Sequence, residues 1–550
     1  MQNIENIICA GWCNSRNHGS MDISTAVRAL HILLNGNYVR YDLDNILNKT
    51  SDLDVSNKTF QDIFSKTHRK QKGIYYTQRD VADYVVSNTI ASSLLTVSKL
   101  LKTTDAIKRI AKLDKKQIHD LVFNRKFLDP TSGSGEFLIS VIEWKLELCS
   151  VAKIALSDDD VIKICGTVFG NDIETESIDI AKMRIFFAII PCMKNADSYI
   201  KLAKMINSTF YRYDFILDYK KIRNKFDYIV GNPPYVEYSK YPRNKELSTD
   251  YGNLYADTLA NSLNLLTDGG CLGLILPLSY VSTGRMSKLR DLVHDQSEKQ
   301  IVLNFADRPD CLFVGAHQKI SILIAKKGGE TCKTFSSTYK HWYKNERNEL
   351  LNGREIFAIK DMSSSYIPKV GNAFEYSIYK KVTSSFKNNI LNSQKDKGKD
   401  IFLNMRACFW IKAFSFDPGS NEYKQFRYQE QYLPFILCVL NSSLFWLYWT
   451  IVSDCWHITN KDLTGFSVPD IVSNSKTITK LAKSLETKLE KTKKYIGTKQ
   501  TAYEYKHKLC KAEIDEIDDC LATIYQLSPE ELDYVKNFAL KYRISGGADD

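Results

Sequence analysis

The sequence lacks an uninterrupted apolar run of bilayer length. The one stretch of that length, Tyr432–Val452, is broken by Pro434 and by Asn441-Ser442-Ser443. It also carries Trp and Tyr along its middle, where a membrane span carries aliphatic residues, so it reads as buried helix with no membrane partner. The amino terminus has no basic start followed by a long apolar run, which argues against a secretory signal. Cysteines number 13 but are scattered; Cys9 and Cys13 form the one close pair, and no second pair completes a four-ligand zinc set. Reduced thiols, a cytoplasmic location and no metal are the expectation. There is no internal repeat, no Gly-x-Gly-x-x-Gly fingerprint and no Gly-Lys-Ser/Thr phosphate loop. Charge of neither sign is scarce: 75 Lys and Arg against 64 Asp and Glu leave +11, which permits a polyanionic partner without demanding one.

What is present divides by texture. Residues 1–70 read as a short helical segment. From 71 to 328, apolar strand-like runs alternate with helical patterns, the signature of an α/β doubly wound sheet. The clearest strand candidates are Lys126–Leu128, Thr167–Phe169, Tyr228–Val230, Cys271–Leu276 and Ile320–Ala325. From 329 to 475 aromatic and basic residues interleave and the alternation is lost, which suits a target-recognition region. Residues 476–550 read as helical, with Ser528-Pro529-Glu530-Glu531 as a helix start carrying Pro at its first position.

Phe127-Leu128-Asp129-Pro130-Thr131-Ser132-Gly133-Ser134-Gly135-Glu136 reads as a strand, a turn of small residues and a helix start. Small residues let the backbone approach a ligand closely, and the helix start presents free N–H groups. Asp129 suits a cationic amino group. The turn therefore fits S-adenosylmethionine, whose methionyl end carries an ammonium and a carboxylate, better than a dinucleotide. A bare strand-to-helix turn has the same composition. Val168–Glu174 is a second apolar strand ending in acid. Doubly wound folds bind ribose hydroxyls with such a carboxylate, so Asp172 is the expected ribose ligand, with Ile173 beside it and Glu174 as the fallback. A helix-capping carboxylate is the alternative. In Phe210–Phe215, Asp214 is placed to accept from an adenine amino group and Phe215 to pack the ring.

The most informative run is Phe226-Asp227-Tyr228-Ile229-Val230-Gly231-Asn232-Pro233-Pro234-Tyr235. Two prolines fix φ and have no N–H to donate. They hold the Asn232 side chain and the Pro233 carbonyl as rigid acceptors, and Tyr235 supplies a flat face. Two oxygen acceptors and a stacking ring grip a planar amino group and localise its nitrogen lone pair for attack on a sulfonium methyl.

Asn232-Pro233-Pro234-Tyr235 resembles the fourth motif of S-adenosylmethionine-dependent amino-methyltransferases, and Asp129–Gly135 resembles their first. Lys72-Gly73-Ile74-Tyr75-Tyr76-Thr77-Gln78 resembles the segment ahead of it, with Gln78 where the family carries Pro. Cofactor segments, then the catalytic Asn, then a C-terminal recognition region form an order similar to the gamma class of DNA adenine methyltransferases of restriction–modification and related phage-defence systems. The resemblance covers about 70–328, and more loosely 431–470 and 510–540. It implies a Rossmann-like sheet and S-adenosylmethionine held by Tyr76, Thr77, Pro130, Thr131, Gly133 and Gly135 together with the carboxylates above. It implies double-stranded DNA as substrate, with the target adenine flipped out and sandwiched between Tyr235 and Phe313.

Lys240, Arg243 and Lys245, with Tyr238 and Tyr241, make Val236–Tyr251 read as a loop that closes on substrate. Lys319, Arg406, Lys412 and Lys461 lie among aromatics, a mix that suits phosphate contacts; lysines solvated over an apolar core are the plain alternative. Methylation of an RNA base or a protein glutamine amide, and a catalytically silent binding subunit, stay open. The long region after 329 favours DNA over the first pair, and intact Asn232, Pro233 and Tyr235 disfavour a silent subunit. Residues 1–70 contain one glutamate, Glu5, and no Glu-x-Lys or Asp-x-Lys pair. Any cleavage is expected from a separate restriction endonuclease or defence-system subunit.

Overall fold

The computed structural model describes residues 23–34, 77–247, 249, 251–313, 317–360, 365–470, 475–498 and 501–545. Most of the expected segment 1–70, the Cys9–Cys13 pair and Tyr76 lie outside them. The frame is a nine-stranded sheet. Its strands are β1 (Phe127–Asp129), β2 (Val168–Asn171), β3 (Phe210–Tyr211), β4 (Phe226–Gly231), β5 (Leu266–Pro277), β6 (Ser297–Phe305), β7 (Ile320–Lys327), β8 (Lys333–Ser336) and β9 (Phe357–Ala358). Their order is β3-β2-β1-β4-β5-β7-β6-β8-β9. β1 to β5 run parallel, and β7 is antiparallel to both of its neighbours. The fold is the expected α/β doubly wound, Rossmann-like sheet. β1 and β2 are buried throughout, as strands covered on both faces must be, which is why they read as continuous apolar runs.

Two features depart from the sequence reading. β6, SEKQIVLNF, begins on four polar residues and was not among the strand candidates, yet its Gln300 and Asn304 are fully buried. Their side chains are satisfied inside the protein, Gln300 by Thr334 and Asn304 by Ser337 and Ser336. β8 pairs with β6 and β9 with β8, so the sheet runs to residue 358, past the expected boundary at 328. These short strands lack an apolar pattern of their own and are set by pairing.

Helix α1 (Ile23–Leu33) packs on α5, described below. Helix α2 (Arg79–Leu94) lies on β4, β5 and β7 and is buried from Tyr84 almost to its end, save its two half-exposed serine and leucine residues at the last turn. It comes so close to β5 that a Cβ on Gly273 stands 1.9 Å from Thr89 Oγ1. Gly273→Ala is therefore expected to cost about 1–3 kcal/mol through overpacking; urea unfolding of the purified variant measures it. Helix α3 (Glu136–Val151) follows β1, α4 (Thr175–Ile189) and α5 (Ser198–Ser208) link β2 to β3, and α6 (Leu254–Leu265) leads into β5.

Tyr432–Val452 forms two helices, Leu433–Asn441 and Ser443–Val452, bent by 63° at the Asn-Ser-Ser break. Every residue from Phe435 to Val452 is buried inside the protein, and no single described helix is long and apolar enough to cross a membrane. Asp518 accepts from the N–H groups of Ser443 and Leu444 and so caps the second helix. Arg543 lies between Trp410 and Trp446, 4.0 and 4.3 Å from their ring centres, and anchors the C-terminal helices in the same core. The expected helix start at Ser528 is a capping box with Glu531, with Pro529 at the first position.

Candidate active site

The strand order reverses between β1 and β4, and in open α/β sheets ligands bind at the carboxyl ends of the strands at such a point. Asp129 ends β1 there, 2% exposed. Its Oδ1 accepts from the Thr131 N–H at 3.1 Å, and no cation pairs with it among the described residues. Burial pushes its carboxyl up to about 8, against an ordinary carboxylate near 4. Gly231 ends β4 beside it; a Cβ on Gly231 stands 2.7 Å from Asp129 Oδ1, so only glycine fits. Gly135 sits at φ +83°, and a Cβ placed there would stand 2.9 Å from that of Ala181 on α4. Positive φ and close helix approach both require glycine. The turn between them holds Ser132, whose Oγ is buried without a hydrogen-bond partner.

Asn232 follows Gly231. Its Nδ2 donates to Thr77 Oγ1 at 3.2 Å, which ties the segment ahead of α2 to the Asn-Pro-Pro-Tyr turn. The Tyr235 hydroxyl lies 2.8 Å from Asn232 Oδ1 and 3.0 Å from the Ile275 carbonyl of β5. Tyr235 is half-buried and packs edge-on against Tyr255. Thus Thr77, Thr131, Asn232 and Tyr235, spread over more than 150 residues of sequence, meet at one place, with Thr131 Oγ1 3.5 Å from the Asn232 carbonyl.

Asp172 keeps its place at the end of β2, but its carboxylate accepts from the backbone N–H groups of Gly133 and Glu174, each at 2.9 Å. It braces the glycine-rich turn. Ile173 beside it is 55% exposed, an apolar face turned outward next to that turn. Asp214 is buried; the Tyr241 hydroxyl donates to its Oδ2, and Arg243 approaches the same oxygen at 3.3 Å. Phe215 is 4% exposed and packs toward Tyr219. Tyr241 and Arg243 of the expected closing loop are therefore seated on the carboxylate expected to meet adenine. Phe313 is 1% exposed within the core and offers no open face opposite Tyr235; Val314–Ala316 of its loop lie outside the described residues.

Sequence reasoning missed the residues that brace the turn. Arg184 on α4 donates to the Ser134 carbonyl at 2.7 Å and pairs with Glu136 at 2.6 Å. Asn171 donates to the carbonyls of Pro130 and Tyr213 and accepts from the Tyr213 N–H, so it ties three strand ends. A polar Asn ending an apolar strand was the available signal for Asn171; Arg184 left none.

Residues 167–310 match the model of the Eco57I restriction-modification methylase family. The match covers about a quarter of the chain and includes β2 to β6 with the Asn-Pro-Pro-Tyr turn. Type II methyltransferase M.PaeR7I of Pseudomonas aeruginosa is 24% identical over 218 residues, 38% of this chain and 36% of the relative. Type II methyltransferase M.BstVI of Geobacillus stearothermophilus is 25% identical over 196 residues, 33% of each. The matched part thus spans about a third of the length of these curated relatives. Among solved structures, the Type IIL restriction-modification enzyme MmeI in complex with DNA shares the fold, at 14% identity and a TM-score of 0.53 over 91% of this chain and 83% of that one.

Around this site the basic residues expected to meet DNA divide into two groups. Lys240 and Lys245 are exposed, and Arg406 is 65% exposed with Glu422 3.6 Å away. Lys412 is half-buried. The other three are engaged by the protein's own groups: Lys461 and Lys319 turn inward, while Arg243 stays part-exposed among carboxylates. Lys461 donates to the carbonyls of Ser282 and Val452 and lies over the Tyr366 ring, so it fastens the C-terminal region to the catalytic sheet. Lys319 pairs with Asp307 at 3.4 Å and sits 4.0 Å above the Trp456 ring. Arg243 is held by Glu246, Asp214 and Asp218. An ammonium that satisfies buried carbonyls cannot also reach a phosphate. Among the described residues no three His, Cys, Asp or Glu side chains cluster as a metal site.

Proposed function

We propose that this chain is a gamma-class, S-adenosylmethionine-dependent DNA methyltransferase that modifies the exocyclic amino group of adenine at a specific site. The observation that carries the reading is the rigid Asn-Pro-Pro-Tyr turn at the sheet's reversal point, next to a buried carboxylate with no cation of its own. That carboxylate, the orphaned Ser132 hydroxyl and the close glycine turn fit S-adenosylmethionine: Asp129 faces its ammonium, Asp172 its ribose and Ile173 its adenine. When bound, the cofactor supplies an electrophilic methyl on sulfonium sulfur.

The chain's own groups then do the following. Asn232 Oδ1 and the Pro233 carbonyl accept the two hydrogens of the target amino group, which holds the nitrogen lone pair toward the methyl. To reach Asn232 Oδ1 the base displaces the Tyr235 hydroxyl, and the ring of Tyr235 turns to stack on it. Extruding a base costs a few kcal/mol, which stacking offsets in part. Tyr235→Phe is accordingly expected to keep most of kcat, because the ring stays and an acceptor is freed, while Tyr235→Ala raises KM and lowers kcat by tenfold or more, with stacking worth about 1–3 kcal/mol. Steady-state kinetics on both variants separates the roles.

The extensive region after the sheet, packed against it through Lys461 and through the Ile367 N–H on the Val281 carbonyl, supports DNA over a compact RNA or protein substrate. Incubation of the full chain with radiolabelled S-adenosylmethionine and unmethylated duplex DNA, followed by nucleoside analysis, tests the reading. Label in methyladenine is expected. Label in RNA or protein keeps the chemistry and replaces the substrate.

A further inference from the structure

The crossover rhythm of the sheet fails once. β1 to β2, β2 to β3 and β4 to β5 cross through helices, but β3 to β4 crosses with a single 3-10 turn, Tyr219–Lys221. Beside that loop, at the β3 edge, lies a groove of about 690 Å³ lined by Tyr211, Tyr213, Lys220, Lys221, Arg223 and Asn224. Half of the lining is cationic and none of it is carboxylate. Lys220, Lys221 and Arg223 are exposed. Lys221 shares Asp218, whereas Lys220 and Arg223 have no ion pair among the described residues. The aromatic wall is fixed in place. Tyr211 stacks on Phe169 and Tyr213, with ring centres 6.0 and 6.3 Å apart. It accepts from the Asn224 amide at 2.6 Å, so its own O–H is left to donate.

Cations held beside oriented hydroxyls, with Asp218 already paired to Lys221 and Arg243 and no carboxylate in the lining itself, suit a phosphate chain. The groove's position narrows the occupant. The C-terminal region is fastened at the other side of the catalytic turn, through Ile367 on Val281 and Lys461 on Ser282. β3 stands three strand spacings from β4, about 14 Å, which is about four base pairs of duplex rise. We propose that the β3-edge groove is a second DNA contact. It holds the sugar–phosphate backbone of the duplex flank that points away from the C-terminal region. The inference rests on the reading of the chain as a DNA methyltransferase.

The test uses the full chain, a 40-base-pair duplex containing the methylated site, and the double variant Lys220→Glu/Arg223→Glu. Fluorescence anisotropy across a salt series is expected to show a slope of log affinity against log salt shallower by about 2, because each lost phosphate contact removes about 0.9. Hydroxyl-radical protection is expected to vanish on one flank, about four base pairs from the target adenine, and to persist at the adenine itself. Lys220→Arg/Arg223→Lys is expected to keep both. Unchanged calorimetric affinity of the charge-reversed variant for S-adenosylmethionine shows that it is folded. If the wild-type chain binds DNA and the charge reversal leaves slope and footprint unchanged, the groove proposal falls alone, and an acidic protein surface becomes its fitting occupant. If the wild-type chain shows no salt-dependent DNA binding, both readings fall.

Discussion

Asn232→Ala is expected to bind S-adenosylmethionine as tightly as the wild type and to transfer methyl groups at least 10²–10³-fold more slowly, on the order of what one preorganised polar contact contributes in other enzymes. The side chain stands between two roles. Its amide nitrogen reaches Thr77, 155 residues earlier, while its Oδ1 is engaged by Tyr235, a contact that, on the proposed function, a base amino group replaces. Losing the Thr77 tie costs about 1 kcal/mol of stability. That is too little to unfold the chain and does not touch Asp129. Asn232→Asp keeps an acceptor oxygen and is expected to retain more activity than the alanine variant. Calorimetry with the cofactor, beside single-turnover transfer, separates the effects. Full transfer by Asn232→Ala would sink the assignment of the catalytic turn.

The second large effect is at Asp129. Burial without a cation, and to a lesser degree the nearby Asp172, pushes its carboxyl up to about 8 in the folded chain, against about 3.9 in an unfolded chain. Between those values the unfolded chain releases the proton and the folded chain keeps it, so rising pH favours unfolding. The loss of stability starts above about pH 4 and is complete above about pH 8. Asp129→Asn removes this cost while keeping an acceptor for the Thr131 N–H. The variant is expected to be more stable than the wild type at pH 8, by on the order of a few kcal/mol, with a correspondingly higher unfolding temperature, and to converge with it toward pH 4. Function runs the other way. A cationic ligand requires the ionised carboxylate, so wild-type cofactor affinity is expected to fall as pH drops below 8, approaching tenfold per unit, with nearly one proton released per cofactor bound at pH 6–7. Calorimetry in buffers of different ionisation enthalpy counts that proton. Asp129→Asn is expected to bind weakly and without this pH dependence. A wild-type affinity that is flat from pH 6 to 8 would show that Asp129 does not meet the ammonium.

Local chemistry made the central site legible. Glycine at Gly133 and Gly135, the strand-end acid Asp129 and the double proline after Asn232 are each demanded by backbone geometry within a few residues, and such demands leave a mark in sequence. The apolar runs of β1, β2 and β7 mark a sheet covered on both faces, and so the order of elements could be read. The polar start of β6 and the short β8 and β9 could not, because pairing partners and buried amide bonds decide them.

The sequence by itself determined the sheet class, the small-residue turn and the acceptor geometry of Asn232 and Pro233, since all three follow from short-range sterics and hydrophobic period. Tertiary structure alone decided how long side chains spend their charge. Lysine and arginine look alike in a sequence whether they face solvent or a carbonyl. Lys461 was turned inward by the carbonyls of Ser282 and Val452, Arg243 was held by carboxylates 25 to 29 residues earlier, and Lys220 and Arg223 stand outward on a β3–β4 connection that carries a 3-10 turn and no α-helix. An ion's partners are set by which backbone atoms lie within about 3 Å after folding, a distance no local pattern encodes.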